Sequence, residues 1–488
     1  MRREVGREAG REAGRGAKRE ERSGTQSCSH AQFGTERRRT ALPRVRQFLL
    51  GTLIAAAWPM VAAQTAGGQA QAGERAVQWS GWLQGDFARV LPEPAHTANA
   101  RLMGEITGKG KWSGDLKWKL SARAAHDFAY GESDFYLPGV RRDQRSELAV
   151  REAYVDMARG DWEWRLGSQH IVWGEMVGLF FADVVSAKDL RQFVLPEFEQ
   201  IRIPQWAARA EYFKNDRHLE FVWLPAPAYD RIGKPGADFY PLPYRYDGLD
   251  YDVRSEQKRA RTFGNGGFGA RFSTETGGWD WSAFVYRSPD SSAAFEREVV
   301  GLPGFGAPSA LPGAAPTVIY RPTYGMLNRV GGTVARDFDG VVLKAEAVVT
   351  EGRRFSAYDL AVPGGLIRQN TIDWVVGLEG TPGEGWRLNG QLYQRLFLNH
   401  DPVIGLRRYE TGASLMVTRT LTPTLEAELL GISSLVRNDW LARASLNWKA
   451  APNVRVKGGV DAFGGDPLGL FGRYGKQDRV YGVVRVSY

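Results

Sequence analysis

Side chains that could catalyse a reaction or hold a metal are few and widely separated in this 488-residue sequence. The histidines beyond residue 63 are His96, His126, His170, His218 and His400. None of them has a second histidine at the spacing of a zinc motif, and the single cysteine, Cys28, lies near the N-terminus. No Gly-x-Ser-x-Gly motif is present to place a serine nucleophile on a sharp turn. We therefore predict no catalytic residue, no metal and no cofactor.

Two weaker signals for chemistry stand beside this prediction. Residues Gly264 to Gly269 match the dinucleotide-binding fingerprint, which needs a helix directly after its glycines because the helix N-terminus receives the pyrophosphate. Residues 270–273 instead continue as a strand that leads into a turn, so we predict no nucleotide site. An enzyme that assembles its site from scattered residues is the open alternative, and His170 with a nearby serine or aspartate would be its first candidate.

The densest group of functional side chains lies in residues 173–204. Charged residues of both signs in this segment could pair and fold a loop back into the lumen of a channel. The candidate residues are Trp173, Gly174, Glu175, Asp183, Asp189, Arg191, Glu197, Arg202 and Pro204. We predict that residues 174–204 form a constriction loop, and the alternative is a loop that packs on the rim. Trp173 and Trp206, at the ends of the flanking strands, are predicted to be membrane-interface anchors, and the alternative is that they stack on a ligand.

The elements that position this loop are predicted to be β-strands with one apolar and one polar face. From Trp440 to Trp448 every second residue is apolar, and Arg443 stands on the opposite face. The two tryptophans are eight residues apart, which at about 3.3 Å per residue and a tilt near 40° spans roughly 20 Å of membrane. The same alternation recurs at 116–123, 341–349, 386–392, 425–429 and 454–461. A soluble antiparallel sheet with one wet face has the same period, so alternation alone leaves both readings open.

The lengths of the connections favour a membrane barrel over a soluble sandwich. Short turns are predicted at 112–114, 159–161, 214–217, 274–278, 336–340, 381–385, 420–424 and 449–453. Longer linkers separate most of them, at about 130–145, 174–204, 228–263, 290–327, 353–370, 399–408 and 464–476. Tight periplasmic turns that alternate with long extracellular loops are typical of an up-and-down outer-membrane barrel. The count predicts about 18 strands, with 16 as the next choice.

The end of the chain supports the same architecture. Residues 480–488 alternate between apolar and other side chains and finish on the aromatic Tyr488. A final strand of this kind is typical of proteins that the outer-membrane assembly machinery inserts, and closing a barrel with it removes a sheet edge that is costly in lipid. We therefore predict an all-β fold: one transmembrane antiparallel barrel over residues 78–488.

The N-terminal residues are predicted to lie outside this barrel. Residues 37–63 have the features of a secretory signal peptide: arginines at the start, an apolar run at 48–57, and small residues before a cleavage point after Ala63. An export signal normally begins close to the first residue, so the polar low-complexity extension 1–36 is interpreted as a gene-model artefact. Residues 64–77 would form a short periplasmic lead, and the mature chain would contain no cysteine.

The charge distribution argues against a nucleic-acid partner, although the net charge is +9. Residues 1–63 hold 13 Lys and Arg against 6 Asp and Glu, which leaves 51 basic and 49 acidic residues in the rest of the chain, a net charge of only about +2. A nucleic-acid-binding fold would carry its basic excess on the folded domain. No apolar run is long enough to span a bilayer as a helix, and an aromatic content of 12% excludes full disorder.

Residues 166–204 contain three short motifs: a Gly-x-Gln strand end at 167–169, a Trp-Gly-Glu turn at 173–175 and an Ile-Pro pair at 203–204 behind acidic residues. With these motifs the segment resembles the uncharacterised proteobacterial outer-membrane barrel family known as domain of unknown function 1302. Ser186-Ala187 stands where the family usually has Asn-Pro, so a related short branch, or the neighbouring alginate-export-like porins, is the alternative. The resemblance implies an outer-membrane β-barrel and names no solute.

The polar faces of the predicted strands carry both charges into the lumen. The predicted lumen-lining residues are Lys117, Lys119, Arg123, Arg209, Lys344, Glu346, Arg387, Glu426, Glu428, Arg443, Arg455, Lys457 and Arg485. Basic residues lead slightly, which predicts weak anion preference, while the alternative is that opposite charges pair across strands and only keep the lumen wet.

These features predict a channel in the outer membrane of a Gram-negative bacterium that lets small or organic solutes pass passively or selectively. The runner-up is a plugged structural or receptor barrel, or the outer component of an envelope transport assembly. The expected partners are outer-membrane lipid and lipopolysaccharide, and the assembly machinery during biogenesis. The sequence indicates no oligomer interface and leaves the oligomeric state open.

Overall fold

The computed structural model describes residues 77–132, 134–176, 181–305 and 315–488. The predicted extension, the signal peptide and almost all of the periplasmic lead therefore lie outside the described residues. Eighteen of the strands in these ranges pair into one sheet. They are β1 (Gln78–Val90), β2 (His96–Ser113), β3 (Leu116–Asp127), β4 (Ser146–Arg159), β5 (Trp162–Gln169), β8 (Gln205–Lys214), β9 (Arg217–Leu224), β11 (Gly267–Thr276), β12 (Trp279–Pro289), β15 (Met326–Asp337), β16 (Val341–Ser356), β17 (Leu366–Gly380), β18 (Trp386–Phe397), β19 (Tyr409–Thr422), β20 (Leu425–Ser434), β21 (Asp439–Ala451), β22 (Val454–Gly465) and β23 (Arg479–Ser487).

The remaining described elements are short and lie in the connections. Two small sheets are formed by β6 (Ala187–Lys188) with β7 (Arg202–Ile203), and by β10 (Asp250–Val253), β13 (Ala294–Val300) and β14 (Thr317–Thr323). The helices are α1 (Ala129–Glu132), α2 (Pro138–Gln144) and α3 (Phe198–Ile201), with 3-10 turns at Phe263–Asn265, Pro363–Gly365, Pro402–Ile404 and Gly472–Tyr474. Among the described helices, none has the length and apolar character to cross a membrane.

The eighteen large strands form a closed ring. Each strand pairs antiparallel with its neighbour along the chain, and β23 returns to pair with β1 from Trp82 opposite Ser487 to Val90 opposite Arg479. The backbones of Gly81 and Tyr488 exchange two hydrogen bonds of 3.0 and 2.9 Å at the end of this seam. The predicted all-β antiparallel barrel of 18 strands is therefore confirmed.

The two ends of the barrel have different connections. At one end eight short turns join the strands at the predicted places, and Gly160 and Asn215 within them have φ of 61° and 51°, the left-handed conformation that tight hairpins require. The other end carries the long connections. Residues 91–95 and 435–438 also connect strands there but are only a few residues long, which is why the predicted alternation of lengths was incomplete.

The distribution of side chains decides between a soluble sheet and a membrane barrel. Large apolar residues point outward along the strands and are exposed, as Leu148 and Trp206 are, while Gln169, Glu220 and Asp461 are buried inside. A soluble protein would hide the apolar face and wet the polar one. An exposed apolar wall around a polar interior is the arrangement that lipid requires.

Candidate pore and its constriction loop

The connection between β5 and β8 enters the barrel. Its backbone contacts side chains in the middle of wall strands on two sides, Glu346 on β16 and Arg443 on β21. On a third side, the side-chain amide of Gln200 donates a 3.2 Å hydrogen bond to the side-chain oxygen of Gln84 on β1. The paired strands β6 and β7 join the two limbs of this connection, with Ala187 opposite Ile203. These contacts place the described parts of this connection, which was predicted to be a constriction loop, against the inner wall of the barrel.

Glu346 holds the first part of the constriction loop. Its carboxylate is 3% exposed and accepts hydrogen bonds from the backbone N–H groups of Glu175, Met176 and Ala182, the last two at 2.9 and 3.0 Å. The carboxylate of Glu175 in turn accepts a 3.0 Å bond from the Thr333 hydroxyl. One buried carboxylate therefore binds three backbone donors that no secondary structure satisfies.

The position of Trp173 contradicts the prediction that this residue is a membrane-interface anchor. It is 1% exposed, its indole N–H donates a 3.0 Å hydrogen bond to Glu220, and its ring packs on Phe284. The physical reason is that the chain turns inward at residue 170, so Trp173 already lies inside the barrel. Trp206 lies on the outer face with 60% exposure, as an anchor would.

Gly269, from the glycine-rich motif at 264–269, has a packing role in this structure. A Cβ at this position would lie 2.8 Å from the Trp173 ring, so only glycine leaves room for the indole against β11. The motif itself runs from the 3-10 turn Phe263–Asn265 straight into β11, and no helix follows its glycines. The context that a dinucleotide would need is therefore missing from this described segment.

Arginines of the wall hold the second part of the constriction loop by its carbonyl oxygens. Arg443 donates a 2.9 Å bond to the carbonyl of Leu195, and Arg151 donates bonds of 2.9 and 2.8 Å to the carbonyls of Glu199 and Arg202. Sequence analysis did not single out Arg151. Its position on the polar face of β4 was the only available signal, because a strand pattern identifies a face but not the loop that reaches it.

Ion pairs connect most of the charged residues predicted for the loop. Asp183 accepts a 3.0 Å bond from Arg202, and Arg191 lies 2.6 Å from Asp189. Glu197 reaches Arg485 of the wall at 3.7 Å. Burial would raise the pKa of Asp189, but hydrogen bonds from Arg191 and its charge outweigh burial and hold that pKa below its ordinary value.

The other candidate residues of the loop are Gly174, Glu175 and Pro204, and each has a different type of contact. Gly174 passes so close to the chain that a Cβ there would lie 2.8 Å from the backbone nitrogen of Asp183. Glu175 faces Arg271 at 3.5 Å, and Pro204 lines a small cavity of about 120 Å³ at the base of the loop. These residues shape the loop.

A cavity of about 720 Å³ lies between the constriction loop and the wall formed by β20 to β23 and β1. Gln192 and Gln200 of the loop border it on one side. Pro423 and Asn453, in the short turns, also line it, so the cavity reaches the short-turn mouth of the barrel. The charged lining residues are Asp86, Arg101, Glu197, Glu199, Glu426, Arg443, Lys449, Arg455, Lys457, Arg479 and Arg485.

The structure brings only some of the predicted lumen-lining residues together. Those that line the cavity are Glu426, Arg443, Arg455, Lys457 and Arg485, and Glu428 lies beside them, 3.7 Å from Lys457. Arg123 and Glu346 contact the loop instead. The others stand on different parts of the wall: Arg209 with Glu220, Lys119 with Glu152, Lys344 with Glu379, Arg387 with Glu426, and Lys117 opposite Asp156 in the strand register.

The hydrolase alternative leads to a different histidine from the one considered first. Burial and the nearby Arg151 lower the pKa of His170 to about 4, and no serine contacts it through a described hydrogen bond. His218 lies between Glu211 at 2.9 Å and the hydroxyl of Ser273 at 3.3 Å. The ring of Phe213 stacks on this imidazole at 4.3 Å and covers one of its faces.

No set of three or more His, Cys, Asp and Glu residues in the described parts of the chain is arranged to hold a metal ion. The acidic side chains of the pore bind backbone N–H groups or arginines, as Glu346 and Asp183 do. The arrangement can therefore position a loop, and it leaves a charged, water-accessible space beside that loop.

Comparison with known proteins gives one family and several distant structures. The family described as Protein of unknown function (DUF1302) matches residues 95–372, more than half of the chain. No curated protein matches. OccAB4 of Acinetobacter baumannii has 9% identity and a TM-score of 0.49, over 86% of this chain and 99% of that one. OccK9 (OpdG) of Pseudomonas aeruginosa has 10% identity and a TM-score of 0.49, over 84% of this chain and 97% of that one. OmpF of Salmonella typhi, in complex with daunomycin, has 9% identity and a TM-score of 0.42, over 85% of this chain and 98% of that one.

Proposed function

The chain belongs to the family described as Protein of unknown function (DUF1302), and on this premise we propose that it is a passive channel in the outer membrane of a Gram-negative bacterium. Small or organic solutes would move down their gradients through the space beside the constriction loop. The mechanism uses polar lumen side chains to keep water in the pore and the loop to narrow it. It needs no cofactor.

The observation that carries this proposal is the way the loop is held. Glu346 on β16 and Arg443 on β21 both bind its backbone from mid-strand positions on different parts of the wall. A loop that only covered the rim would need no such partners. A fixed loop beside a cavity of about 720 Å³ supports a constriction with room for a small solute.

An outer-membrane location is supported by the barrel surface. Leu148, Trp206 and Leu446 are among the large apolar residues exposed on the outer wall, at 85%, 60% and 50%. Transferring so much apolar surface from water to lipid is favourable, at about 25 cal/mol per Å². The pairing of β23 with β1 closes the ring of eighteen described strands, as a sheet in the hydrocarbon layer would require.

A specific observation also favours the plugged-barrel alternative. Phe193 of the constriction loop packs on Phe239, Phe463 and Tyr474 at ring-centroid distances of 6.2, 6.3 and 5.0 Å. This apolar cluster ties three connections, those that contain Phe193, Phe239 and Tyr474, to Phe463 on the wall. A receptor or assembly component with a blocked lumen would use the same contacts.

Single-channel recording distinguishes the two functions. The protein, purified from outer membranes in detergent, is added to planar bilayers in KCl. The channel proposal predicts stepwise conductance that increases when the constriction loop is shortened. A folded, heat-modifiable barrel that gives no steps, with or without the loop, would contradict the proposal and favour the plugged barrel.

A further inference from the structure

Three cationic residues stand side by side on neighbouring wall strands. In the strand register Lys449 of β21 is opposite Arg455 of β22, and Arg455 is opposite Arg485 of β23. We call these three residues the cationic row. Directly opposite residues of an antiparallel pair have Cβ atoms about 5 Å apart, and like charges at this distance destabilise a sheet. The row therefore costs stability in the barrel that contains it.

The surrounding acidic groups leave this repulsion largely uncompensated. Within the described residues neither Lys449 nor Arg455 has a carboxylate within 4 Å, while Arg485 has only Glu197 of the constriction loop, at 3.7 Å. Cations deeper in the same wall do have a carboxylate partner. Arg443 and Arg479 share the buried Asp461 at 2.8 and 2.9 Å.

The third member of the row is held in a defined direction. The guanidinium of Arg485 lies 4.3 Å from the ring centroid of Trp82, and Trp82 belongs to the polar, lumen-facing side of β1. A cation over an indole face is stabilised there and loses part of its rotational freedom. Arg485 is therefore oriented before any ligand arrives, which lowers the entropic cost of binding.

All three residues line the cavity of about 720 Å³ at the short-turn mouth. Pockets for small organic molecules usually measure about 300–1,000 Å³, so a metabolite-sized molecule fits. Glu197 and Glu199 of the constriction loop line the same cavity. A ligand with one strongly anionic end would turn that end to the cationic row and away from the two loop carboxylates.

We propose that the cationic row is a binding site for organic anions, carboxylates or phosphates, at the short-turn mouth of the pore. This inference rests on the proposed channel function, since the site would determine which solutes the channel prefers. Guanidinium groups bind carboxylate and phosphate oxygens through charge-assisted hydrogen bonds, and an anion between the three cations removes their mutual repulsion. Lysines of β2 and β3 also stand opposite one another, Lys109 with Lys119 and Lys111 with Lys117, but they do not line the cavity.

Two measurements with citrate as the probe test this proposal on the purified barrel. Citrate is added to a channel in KCl, and the concentration that halves the chloride current is recorded. Citrate binding to the detergent-solubilised barrel is measured by calorimetry, which needs no conductance. The test variant is Lys449→Gln with Arg455→Gln. The control is Lys117→Gln with Lys344→Gln, which removes the same charge from lumen-facing positions near the same end of other strands.

The proposal predicts that citrate blocks and binds the unchanged protein, and that the test variant needs roughly tenfold more citrate for both effects. The control should stay within about twofold, because its lysines lie outside the cavity. Equal weakening in both variants, or no citrate binding at all, would overturn the site. Citrate binding to a barrel without conductance would instead refute the channel and leave the site standing.

Discussion

At the scale of single residues, Glu346 is the side chain on which the constriction depends most. Its carboxylate serves three backbone donors of the loop. We predict that Glu346→Gln weakens this attachment by about 2–3 kcal/mol, because an amide is a weaker acceptor and brings an unwanted donor. The loop would move more freely, and the single-channel current would become larger and noisier.

The matched control for this prediction is Glu426→Gln. Glu426 lines the cavity and pairs with Arg387 at 3.7 Å, but it accepts no described hydrogen bond from the loop backbone. It should change ion selectivity slightly and leave the current noise as it is. Identical recordings from Glu346→Gln and the unchanged protein would show that the loop does not depend on Glu346.

A second prediction concerns Trp173. Trp173→Phe removes the hydrogen bond to Glu220, whose carboxylate keeps its 2.7 Å bond from Arg209. We expect the free energy of unfolding in urea to fall by about 1–2 kcal/mol. Trp206→Phe, on the exposed outer face, should change it by less than about 0.5 kcal/mol. A larger loss of unfolding free energy in Trp206→Phe than in Trp173→Phe would contradict this expectation and favour Trp173 as a membrane anchor.

The pH dependence of the pore follows from Asp189. Its pKa lies below its ordinary value of 3.8, so the ionised form is favoured in the folded loop. The stabilisation is present above that ordinary value and is lost as the pH falls through the lowered pKa. We predict that the contribution of Asp189 to holding the loop stays constant from pH 7 to about pH 4 and is lost below it, which raises the conductance. Asp189→Asn should give the loosened state already at pH 7, and an unchanged acid response in this variant would exclude Asp189 as the cause.

At the scale of elements, the β6–β7 pair makes the inner part of the constriction loop removable. Ala187 and Ile203 already bring its limbs together, so residues 190–200 can be replaced by a short glycine turn without opening the ring. Because Gln192 and residues 195–200 border the cavity, we predict roughly twofold higher conductance with an intact heat-modifiable barrel.

The control for this deletion is an equally long replacement of residues 398–408, which form an outer connection and do not line the cavity. Its conductance should match that of the unchanged protein. Equal increases in both variants would indicate that the outer loops, and not the constriction loop, limit the current.

Strands, turns and the closed ring could be predicted from the sequence because each depends on local patterns. Alternation fixes which residues face the lumen, and the tight turns carry residues such as Gly160 whose backbone conformation is restricted. The contacts of the loop could not be predicted in the same way. Neither Gln84 nor Arg151 differs from its neighbours in type or spacing, and their partners lie more than 45 residues away along the chain. The placement of Trp173 was wrong for the same reason, since it depends on where the chain leaves the wall.

At the scale of the whole molecule, the seam between β1 and β23 controls assembly. Tyr488 forms two backbone hydrogen bonds with Gly81, while 46% of its surface remains exposed. We predict that Tyr488→Ala lowers the yield of heat-modifiable barrel severalfold during export but leaves the urea stability of the assembled fraction within about 1 kcal/mol. Tyr409→Ala, at an exposed strand start away from the seam, is the control. Equal yields of the two variants would show that the last residue has no special part in assembly.

The seam between β1 and β23 also determines when the barrel can close. Because β1 needs β23 as a neighbour, the ring stays open until all nine residues of β23 have left the ribosome. On the proposed outer-membrane location, synthesis and export must finish before folding can, and the chain would cross the periplasm with its lipid-facing apolar residues unprotected. A protein that follows this route would depend on carriers that keep it unfolded during transit, and its folding would begin only at the membrane that it is proposed to occupy.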